Sequence, residues 1–183
     1  IEYTNILEAV NIACDNTVNI INFNGDNKSD LLVNTNIGSF VFTLNRTISG
    51  EYEASINNTY TYLFGKTIYT GDFNGDGKTD LLSYKYPNTF ELHYSNGKTF
   101  SSNPFVFNMP VEMTSWIGQQ NTAHPKDNLL IADVNGDGMS DIIHGKSTGW
   151  NCNSQTYYVD VFYSKWDNFL LKSYTVNNNV YEC

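Results

Sequence analysis

Short apolar runs alternate with polar positions along this chain, and turns rich in Asn, Asp and Gly separate them. In residues 40–44, Phe40, Phe42 and Leu44 fall on every second position, which is typical of a half-buried strand. No stretch shows a convincing helical period, and residues 5–13 fit a weak helix or an incoming strand equally well. The pattern therefore predicts an all-β protein.

A longer repeat organises these runs. Residues 22–32 read NFNGDNKSDLL, residues 72–82 read DFNGDGKTDLL, and residues 133–143 read DVNGDGMSDII. The similarity extends beyond the loops, because FELHYSNGKTF at 90–100 aligns without a gap on VDVFYSKWDNF at 159–169. The repeat predicts one domain of three units, 17–60, 61–110 and 111–183, the last with long connections at 110–127 and 147–155.

Each unit contains four predicted strands. They span 18–23, 30–34, 39–45 and 51–56 in the first unit, 67–73, 80–84, 90–95 and 104–109 in the second, and 129–134, 141–144, 157–164 and 170–176 in the third. Four-stranded units in series are the blades of β-propellers. The predicted fold class is therefore all-β, with three propeller-type blades of four antiparallel strands in a partial propeller or an open arc. One interpretation of residues 1–16 is the remnant of a preceding blade.

The repeated loop has the composition of a calcium site, because Ca²⁺ takes six to eight oxygen ligands in flexible geometry. In D-x-N-G-D-G-x-x-D, positions 1, 3, 5 and 9 offer side-chain oxygens and position 7 offers a backbone carbonyl. The glycines at positions 4 and 6 permit a positive φ. Without a cation, the clustered carboxylates would repel one another. The candidate ligands are Asn22, Asn24, Asp26, Lys28 and Asp30; Asp72, Asn74, Asp76, Lys78 and Asp80; and Asp133, Asn135, Asp137, Met139 and Asp141.

Two other interpretations of the loops compete with calcium binding by blades. An EF-hand loop begins in a similar way but needs Glu at position 12, where this chain has Val33, Ser83 and His144. EF-hand loops also join helices, whereas these lie between apolar β runs, so the sequence excludes the EF-hand. The other interpretation is an Asn/Asp/Gly turn that binds no metal. It could explain a single copy of the loop, but three copies at matching positions of the repeat disfavour it.

The first loop departs from the pattern at two positions. Asn22 replaces the first Asp, and Asn27 replaces the second Gly. Asn tolerates the left-handed backbone conformation better than most residues, so we expect the loop to keep its shape. One carboxylate fewer lowers the affinity for a divalent cation. The sequence therefore predicts up to three Ca²⁺ ions, with the first site the weakest.

The net charge of −9 is concentrated in the loops, which hold eight of the 12 Asp residues. Three Ca²⁺ ions would bring −9 to −3. No basic face suited to nucleic acid is visible, and no apolar run approaches the roughly 20 residues of a membrane span. Cys14, Cys152 and Cys183 match no zinc-site spacing, and their pairing stays open, as does glycosylation at the triplets 27–29, 45–47 and 57–59.

These loops, their β setting and their spacings of 50 and 61 residues resemble FG-GAP/VCBS repeats, the calcium-binding blades of integrin-α-like propellers. The stretch YSNGKTF at 94–100 is also similar to VCBS repeats of large secreted or surface proteins. The resemblance covers roughly residues 17–176. It implies a calcium-stabilised propeller, extracellular or at the cell surface, for adhesion, ligand binding or scaffolding.

Closed propellers have about four to eight blades, and three are visible here. The chain is thus expected to belong to a longer propeller, to pair with a second copy, or to form an open arc. The ligand is expected to be a protein or a glycan, and residues 110–127 and 147–155 are its expected contact surface. A shell or delivery segment of a toxin-complex or Rhs-like protein would have much the same sequence.

A carbohydrate-binding lectin is the alternative function, with Trp116, Trp150 and Trp166 as candidates for stacking on sugar rings. The simpler interpretation is that each Trp packs between blades.

An enzyme is disfavoured, because His93, His124 and His144 form no catalytic motif. The sequence also assigns the loop carboxylates to metal. His144 directly follows the third loop, and His93 is predicted in the middle of a strand; both are interpreted as structural.

Overall fold

A computed structural model describes residues 17–35, 38–46, 48–50, 52–63, 66–85, 89–108, 129–148 and 156–176. Several predictions from the sequence fall outside these residues: the helix candidate at 5–13, the connection at 110–127, most of the connection at 147–155, and all three cysteines. No helix in the described part of the chain is long and apolar enough to cross a membrane.

Twelve strands form three antiparallel sheets of four, each paired in chain order. Unit 1 contains β1 (Thr17–Ile21), β2 (Asp30–Thr35), β3 (Gly38–Arg46) and β4 (Tyr52–Tyr60). Unit 2 contains β5 (Thr67–Gly71), β6 (Asp80–Lys85), β7 (Thr89–His93) and β8 (Phe105–Asn108). Unit 3 contains β9 (Leu129–Ala132), β10 (Asp141–Thr148), β11 (Thr156–Ser164) and β12 (Phe169–Val176).

The predicted fold class is confirmed: the chain forms three propeller-type blades, and the described strands do not close into a barrel. The helical content of the described residues is one 3₁₀ turn at Thr61–Leu63 between β4 and β5. Because a central strand pairs on both sides, each blade satisfies most of its backbone hydrogen bonds internally. The units can therefore pack through side chains.

The twelve strands match the predicted ones, with shifts at their ends. The first strand of each unit ends at Ile21, Gly71 or Ala132, two residues earlier than predicted. The reason is that the next backbone N–H groups turn toward a loop side chain instead of a neighbouring strand. Strands β4 and β10 run four residues further than predicted, because their partners β3 and β11 extend alongside them.

Unit 2 is covered on both faces of its sheet, which explains why β6 is buried almost throughout. Leu81 packs toward unit 1 in a cluster with Ile21, Phe23 and Leu32. Leu82 points to the opposite face and belongs to a second cluster between units 2 and 3. That cluster contains Tyr69, Phe73, Leu82, Tyr84, Phe90, Leu92, Leu129, Ile142 and Phe162.

One aromatic ring from each later unit covers the preceding loop. Phe100 of unit 2 meets Phe23 edge-on, with 5.1 Å between ring centroids. Phe169 of unit 3 occupies the corresponding position and meets Phe73 at 6.3 Å. Such edge-to-face pairs add to the stabilisation from buried area. The repeat in the sequence is therefore also a repeat of the packing between units.

Hydrogen bonds between consecutive units repeat in the same way, and we call this set the joint. The Thr79 N–H donates to the Asn22 carbonyl (2.8 Å), while the Asn22 N–H donates to Thr79 Oγ1 (2.9 Å). Between units 2 and 3, Ser140 and Asp72 form the same two bonds, at 2.6 and 3.0 Å. The loop of each unit is thus tied to the loop of the unit before it.

A buried serine completes each joint. Ser95 Oγ donates to the Phe23 carbonyl (2.9 Å), and Ser164 Oγ donates to the Phe73 carbonyl (2.7 Å). Both hydroxyls are buried. A buried carbonyl left without a donor costs about 1–3 kcal/mol, so these serines help to fix the position of one blade on the next.

Candidate metal centres

The three candidate loops connect the first and second strands of their units. Loop 1 (residues 22–30), loop 2 (72–80) and loop 3 (133–141) join β1 to β2, β5 to β6 and β9 to β10. Strands lie on both sides of every loop, so the structure has none of the helices that an EF-hand requires there.

In loop 2 the side chains at positions 1, 3 and 5 bind backbone N–H groups of the loop itself. Asp72 Oδ1 accepts from Gly75 (2.7 Å) and Asp76 (3.1 Å), and Asp72 Oδ2 accepts from Gly77 (2.8 Å). Asn74 Oδ1 accepts from Asp76 N–H (3.0 Å), and Asp76 Oδ1 accepts from Lys78 N–H (2.9 Å). These bonds hold the side-chain oxygens on the inner side of one tight turn.

Loop 3 has nearly the same geometry. Asp133 accepts from Gly136 (2.7 Å) and Gly138 (2.9 Å), one bond to each carboxylate oxygen. Asn135 Oδ1 accepts from Asp137 N–H (2.8 Å), and Asp137 Oδ1 accepts from Met139 N–H (3.0 Å). Two loops 61 residues apart in sequence thus arrange the same donors and acceptors.

Loop 1 differs where its sequence differs. Asn22 Oδ1 accepts from Gly25 (3.1 Å), but Asn22 Nδ2 turns away and donates to the Gly77 carbonyl of loop 2 (2.9 Å). Asn27 takes the left-handed conformation at φ 61°, as predicted, where Gly77 has φ 79°. Loop 1 therefore keeps the turn, but the residue at its first position brings no charge.

The aspartate at position 9 lies behind each turn and is buried. Asp30 Oδ2 accepts from Phe23 N–H (3.0 Å). Asp80 accepts from Phe73 N–H (3.0 Å) through Oδ2 and from Ser95 N–H (2.8 Å) through Oδ1. Asp141 accepts the two equivalent bonds, at 3.1 Å and 2.9 Å. Asp80 and Asp141 thereby join their loops to the chain at or just after the third strand of the unit.

Burial raises the pKa of Asp80 to about 7. The hydrogen bonds from its two backbone N–H donors lower the pKa but do not cancel the effect of burial. The neighbouring carboxylates of Asp76 and Asp72 raise it further. Burial likewise raises the pKa of Asp30 and of Asp141. A carboxylate that resists ionisation because of burial and nearby negative charge favours a cation beside it.

Each position-5 carboxylate already has an ammonium partner. Lys28 lies 3.2 Å from Asp26, and Lys78 lies 2.8 Å from Asp76. Loop 3 has Met139 in place of that lysine, and Lys165 from the β11–β12 turn lies 3.4 Å from Asp137 instead. These contacts show that the position-5 carboxylates attract positive charge.

The pKa of each position-5 aspartate lies below its ordinary value. A hydrogen bond from the Lys28 backbone N–H lowers the pKa of Asp26, and one from Met139 lowers that of Asp137. Burial alone would raise the pKa of Asp76, but the hydrogen bonds from Lys78 outweigh it. These three carboxylates are therefore ionised at neutral pH.

The donor set fits calcium in its chemistry, because every candidate side-chain ligand is a carboxylate or amide oxygen. A hydrogen bond to a carboxylate oxygen leaves further lone pairs on that oxygen. Within the described ranges, however, no three His, Cys, Asp or Glu side chains gather closely enough to hold a metal ion by themselves. The structure thus brings positions 1, 3 and 5 into one turn, and it directs both Asp80 oxygens to backbone N–H groups.

Sequence reasoning missed several residues that shape these centres. It did not find Lys165, or the joint residues Thr79, Ser140, Ser95 and Ser164. A signal for the joint was present, because Ser29, Thr79 and Ser140 all precede the last Asp of their loops. The serines were visible as the shared Tyr-Ser pair at 94–95 and 163–164.

The two histidines that the structure describes lie on strands outside the loops. His93 is the last residue of β7 rather than mid-strand, and its buried Nδ1 lies 2.8 Å from the Ser101 carbonyl. Burial lowers the pKa of His93, while this hydrogen bond opposes the shift. His144 is also buried, on β10 directly opposite Asp160 of β11. His124 lies outside the described residues.

The interpretation that each Trp packs between blades is wrong for Trp166. Its side chain is 70% exposed at the turn between β11 and β12. Its φ of 64° matches that of Gly97 (81°) at the same position of unit 2. A non-glycine residue in this conformation costs about 1–2 kcal/mol. Trp116 and Trp150 lie outside the described residues.

Three four-stranded blades with one Asp- and Asn-rich loop each define the class of this protein, a propeller-type β-repeat protein. The FG-GAP-like repeat family matches residues 22–83 and 72–144, and each match spans two of the three loops. The chain therefore belongs to the FG-GAP-like repeat family. No curated protein and no solved structure matches the chain.

Proposed function

We propose that this chain is a non-catalytic calcium-binding module of a secreted or cell-surface protein, with a role in adhesion, ligand binding or scaffolding. The observation that carries the proposal is the same turn in three loops, each with two or three carboxylates in nine residues. Membership of the FG-GAP-like repeat family supports a module built of propeller-type blades.

The residues that would hold the ion are the side chains at positions 1, 3, 5 and 9 and the carbonyl at position 7. A bound Ca²⁺ would supply positive charge to carboxylates that now share lysine ammonium groups and backbone N–H donors. The ammonium contact at Asp76 would have to give way, because an ion at that carboxylate repels Lys78. Calcium in these loops would stabilise the joints, since each loop is tied to the next.

Thermal unfolding with and without calcium tests this proposal. A ligand that binds only the folded state stabilises one site by about 2.7 kcal/mol at a hundredfold excess over Kd. For a chain of this size, 1 kcal/mol corresponds to roughly 2–4 °C in Tm. We therefore expect calcium to raise the Tm of the EDTA-treated protein by several degrees. An equal amount of Mg²⁺, which prefers octahedral sites with bound water, should have less effect.

Variants locate the effect. The double variant Asp72→Asn/Asp133→Asn should lose most of the calcium-dependent rise in Tm. Asp167→Asn removes an exposed carboxylate at the β11–β12 turn, outside the loops, and should retain the full rise. Equal Tm values in calcium and EDTA for the unmodified chain would contradict the proposal.

Carbohydrate binding is a second candidate function, favoured by one observation. Trp166 exposes its indole at a turn in a strained backbone conformation, and Tyr94 Oη donates to its carbonyl (2.6 Å). Strain of this kind is frequent at ligand-binding positions. A glycan array with the unmodified chain and with Trp166→Ala tests it. Binding that survives the substitution, or no binding at all, would remove this candidate.

A further inference from the structure

The two ends of the three-unit array expose surfaces that are buried between units elsewhere in the chain. We define the front face of a unit as the face that packs on the following unit, and the back face as the one that packs on the preceding unit. In unit 2, the front-face residues Phe73 and Tyr69 are 0% and 8% exposed. Val134 and Leu130 occupy the same positions of unit 3 and are 48% and 66% exposed.

The strand register shows which residues continue this front face across unit 3. Leu130 pairs with Ile143, which is partly buried, and Ile143 pairs in turn with Val161 of β11, which is 6% exposed. On the same face, β12 contributes the exposed side chains Leu170 and Tyr174, with the exposed Lys172 between them. Large exposed apolar patches of this kind mark interaction surfaces.

Unit 1 exposes the complementary back face. Val18 is 58% exposed, whereas Ile68, at the same position of unit 2, is 5% exposed against unit 1. Ile20 and Ile56 lie on the same face of unit 1 and are also exposed, beside the partly buried Leu31. Most of this face is apolar, with Thr35 as a polar residue next to Val33 along β2.

The back faces inside the array are more polar. That of unit 2 carries Lys66 paired with Glu91, and that of unit 3 carries His144 opposite Asp160. A largely apolar back face on unit 1 fits the largely apolar front face of unit 3 better than it fits water.

The loops at the two ends also carry the groups of another joint. Ser29 occupies the position of Thr79 and Ser140, and it is exposed. In the existing joints, the backbone N–H and carbonyl of Asn22 bind Thr79, and those of Asp72 bind Ser140. Asp133 occupies the same position in unit 3 and is exposed as well. The serine of the second contact has no counterpart, because Leu44 lies where unit 2 has Ser95.

We propose that the front face of unit 3 binds the back face of unit 1 of a second copy of this chain, head to tail. The contact continues an interface that the chain already forms twice, between units 1 and 2 and between units 2 and 3. It uses different surfaces on the two partners, so copies join into a ring if the rotation closes and into a filament if it does not. The proposal does not rest on calcium binding, because apolar faces and backbone groups form the contact.

Two blocking variants test the head-to-tail geometry. Leu130→Glu places a charge on the front face of unit 3, and Ile20→Glu places one on the back face of unit 1. Both side chains are more than half exposed, so the substitutions leave the fold intact, which circular dichroism checks. Val134→Asp provides a second front-face variant. Ile48→Glu is the matched control, because Ile48 is fully exposed in the β3–β4 connection.

Sedimentation velocity then measures the mass over a wide range of concentration. We expect the unmodified chain and Ile48→Glu to form species of at least twice the 20.7 kDa chain mass. Each blocked variant alone should remain a monomer. An equimolar mixture of Leu130→Glu and Ile20→Glu should form a dimer and nothing larger, because each partner retains one intact face.

Three results would overturn the proposal. One is an unmodified chain that stays monomeric throughout. Another is a blocked variant that self-associates as well as the unmodified chain does. The third is a mixture of the two blocked variants that remains monomeric, since that excludes pairing of a front face with a back face. Repeating the sedimentation runs in calcium and in EDTA distinguishes failure of the head-to-tail contact from failure of calcium binding.

Discussion

At the scale of single residues, the position-5 carboxylates show most directly what the loops attract. Each of them lies within 3.4 Å of a lysine ammonium group. In loop 3 the lysine comes from a different strand connection, because Met139 occupies the position of Lys28 and Lys78. Two routes to the same contact indicate that a positive charge beside these carboxylates is favourable.

An ammonium and a divalent cation compete for one carboxylate, so removing the lysine should strengthen calcium binding. We predict that Lys78→Met tightens calcium binding at loop 2 by about fivefold at low salt. Unit charges near a protein surface interact by roughly 1 kcal/mol or more. Met preserves the aliphatic stem that packs near Gly25, as Met139 does near Gly75. Isothermal titration calorimetry measures the change.

Salt and position provide the controls for Lys78→Met. The gain should shrink at higher ionic strength, because salt screens exposed charges. Lys85→Met removes an exposed lysine five residues along β6, roughly 17 Å from the loop. It should leave the calcium affinity unchanged. An affinity that falls in Lys78→Met would show that the ammonium supports the site.

Asp80 makes the calcium-free protein sensitive to pH. Its pKa is raised to about 7 in the folded chain, against about 3.9 when unfolded. Between these values the folded state holds the extra proton, so the free energy of unfolding falls as pH rises. The raised pKa of Asp30 and Asp141 acts in the same direction. The lowered pKa of His93 acts the other way, because just below pH 6.5 the unfolded state holds the extra proton, but it is one group against three. The lowered pKa of Asp76 acts only in acid, where its stabilisation is lost below about pH 4.

We predict that the EDTA-treated protein loses stability from about pH 4.5 to about pH 7, by at most about 1.4 kcal/mol per pH unit for each such group. Calcium should reverse the slope, because binding to carboxylates displaces their protons. Urea unfolding across this range measures both slopes. Asp167→Asn, at an exposed turn, should leave both slopes unchanged. A stability that rises with pH in EDTA would contradict the raised pKa of the buried Asp80.

The sequence predicted the turns of the loops but not the contacts that their side chains make with other strands. The D-x-N-G-D-G pattern identified the turns and the left-handed Asn27, because both depend on local backbone conformation. It could not predict that Ser95 N–H binds Asp80, since that bond depends on where β7 ends. It also could not predict the exposure of Trp166, which depends on how the β11–β12 turn faces its neighbours.

At the scale of elements, the strands were predictable and the joints were not. Alternating apolar positions and turn residues predict strands locally, and all twelve were found. The joint depends on how one sheet stacks on another, which no local pattern encodes. Gly71 shows this dependence: a Cβ there would lie 2.7 Å from an Ile131 side-chain carbon and 2.8 Å from Ser140 Cβ.

We therefore predict that Gly71→Ala destabilises the protein by about 1–3 kcal/mol, the usual cost of overpacking a close contact. The added methyl group would push β5 away from unit 3 and weaken the bonds between Ser140 and Asp72. Urea unfolding compares it with Gly145→Ala, another strand glycine, where a Cβ would meet nothing within 4 Å. That control should be neutral or slightly stabilising. Equal stability of the two variants would show that unit 3 does not pack tightly against Gly71.

At the scale of the whole molecule, the net charge and the stacked loops both support the proposal that cations bind in the loops. The chain carries a net charge of −9, and its loops stack along one series of joints. Carboxylates stacked in series repel one another unless cations separate them. Each unit adds one loop and one joint, so the stability of the array should depend on cations bound along the series.

Calcium binding by equilibrium dialysis, with the unmodified chain and with Asn22→Asp, tests this account most directly. Two ions should bind tightly through loops 2 and 3, and a third weakly through loop 1, where Asn22 supplies no charge. Asn22→Asp should bring the third ion close to the affinity of the others. No calcium retained by the folded chain, or three equal sites that ignore the substitution, would contradict the account.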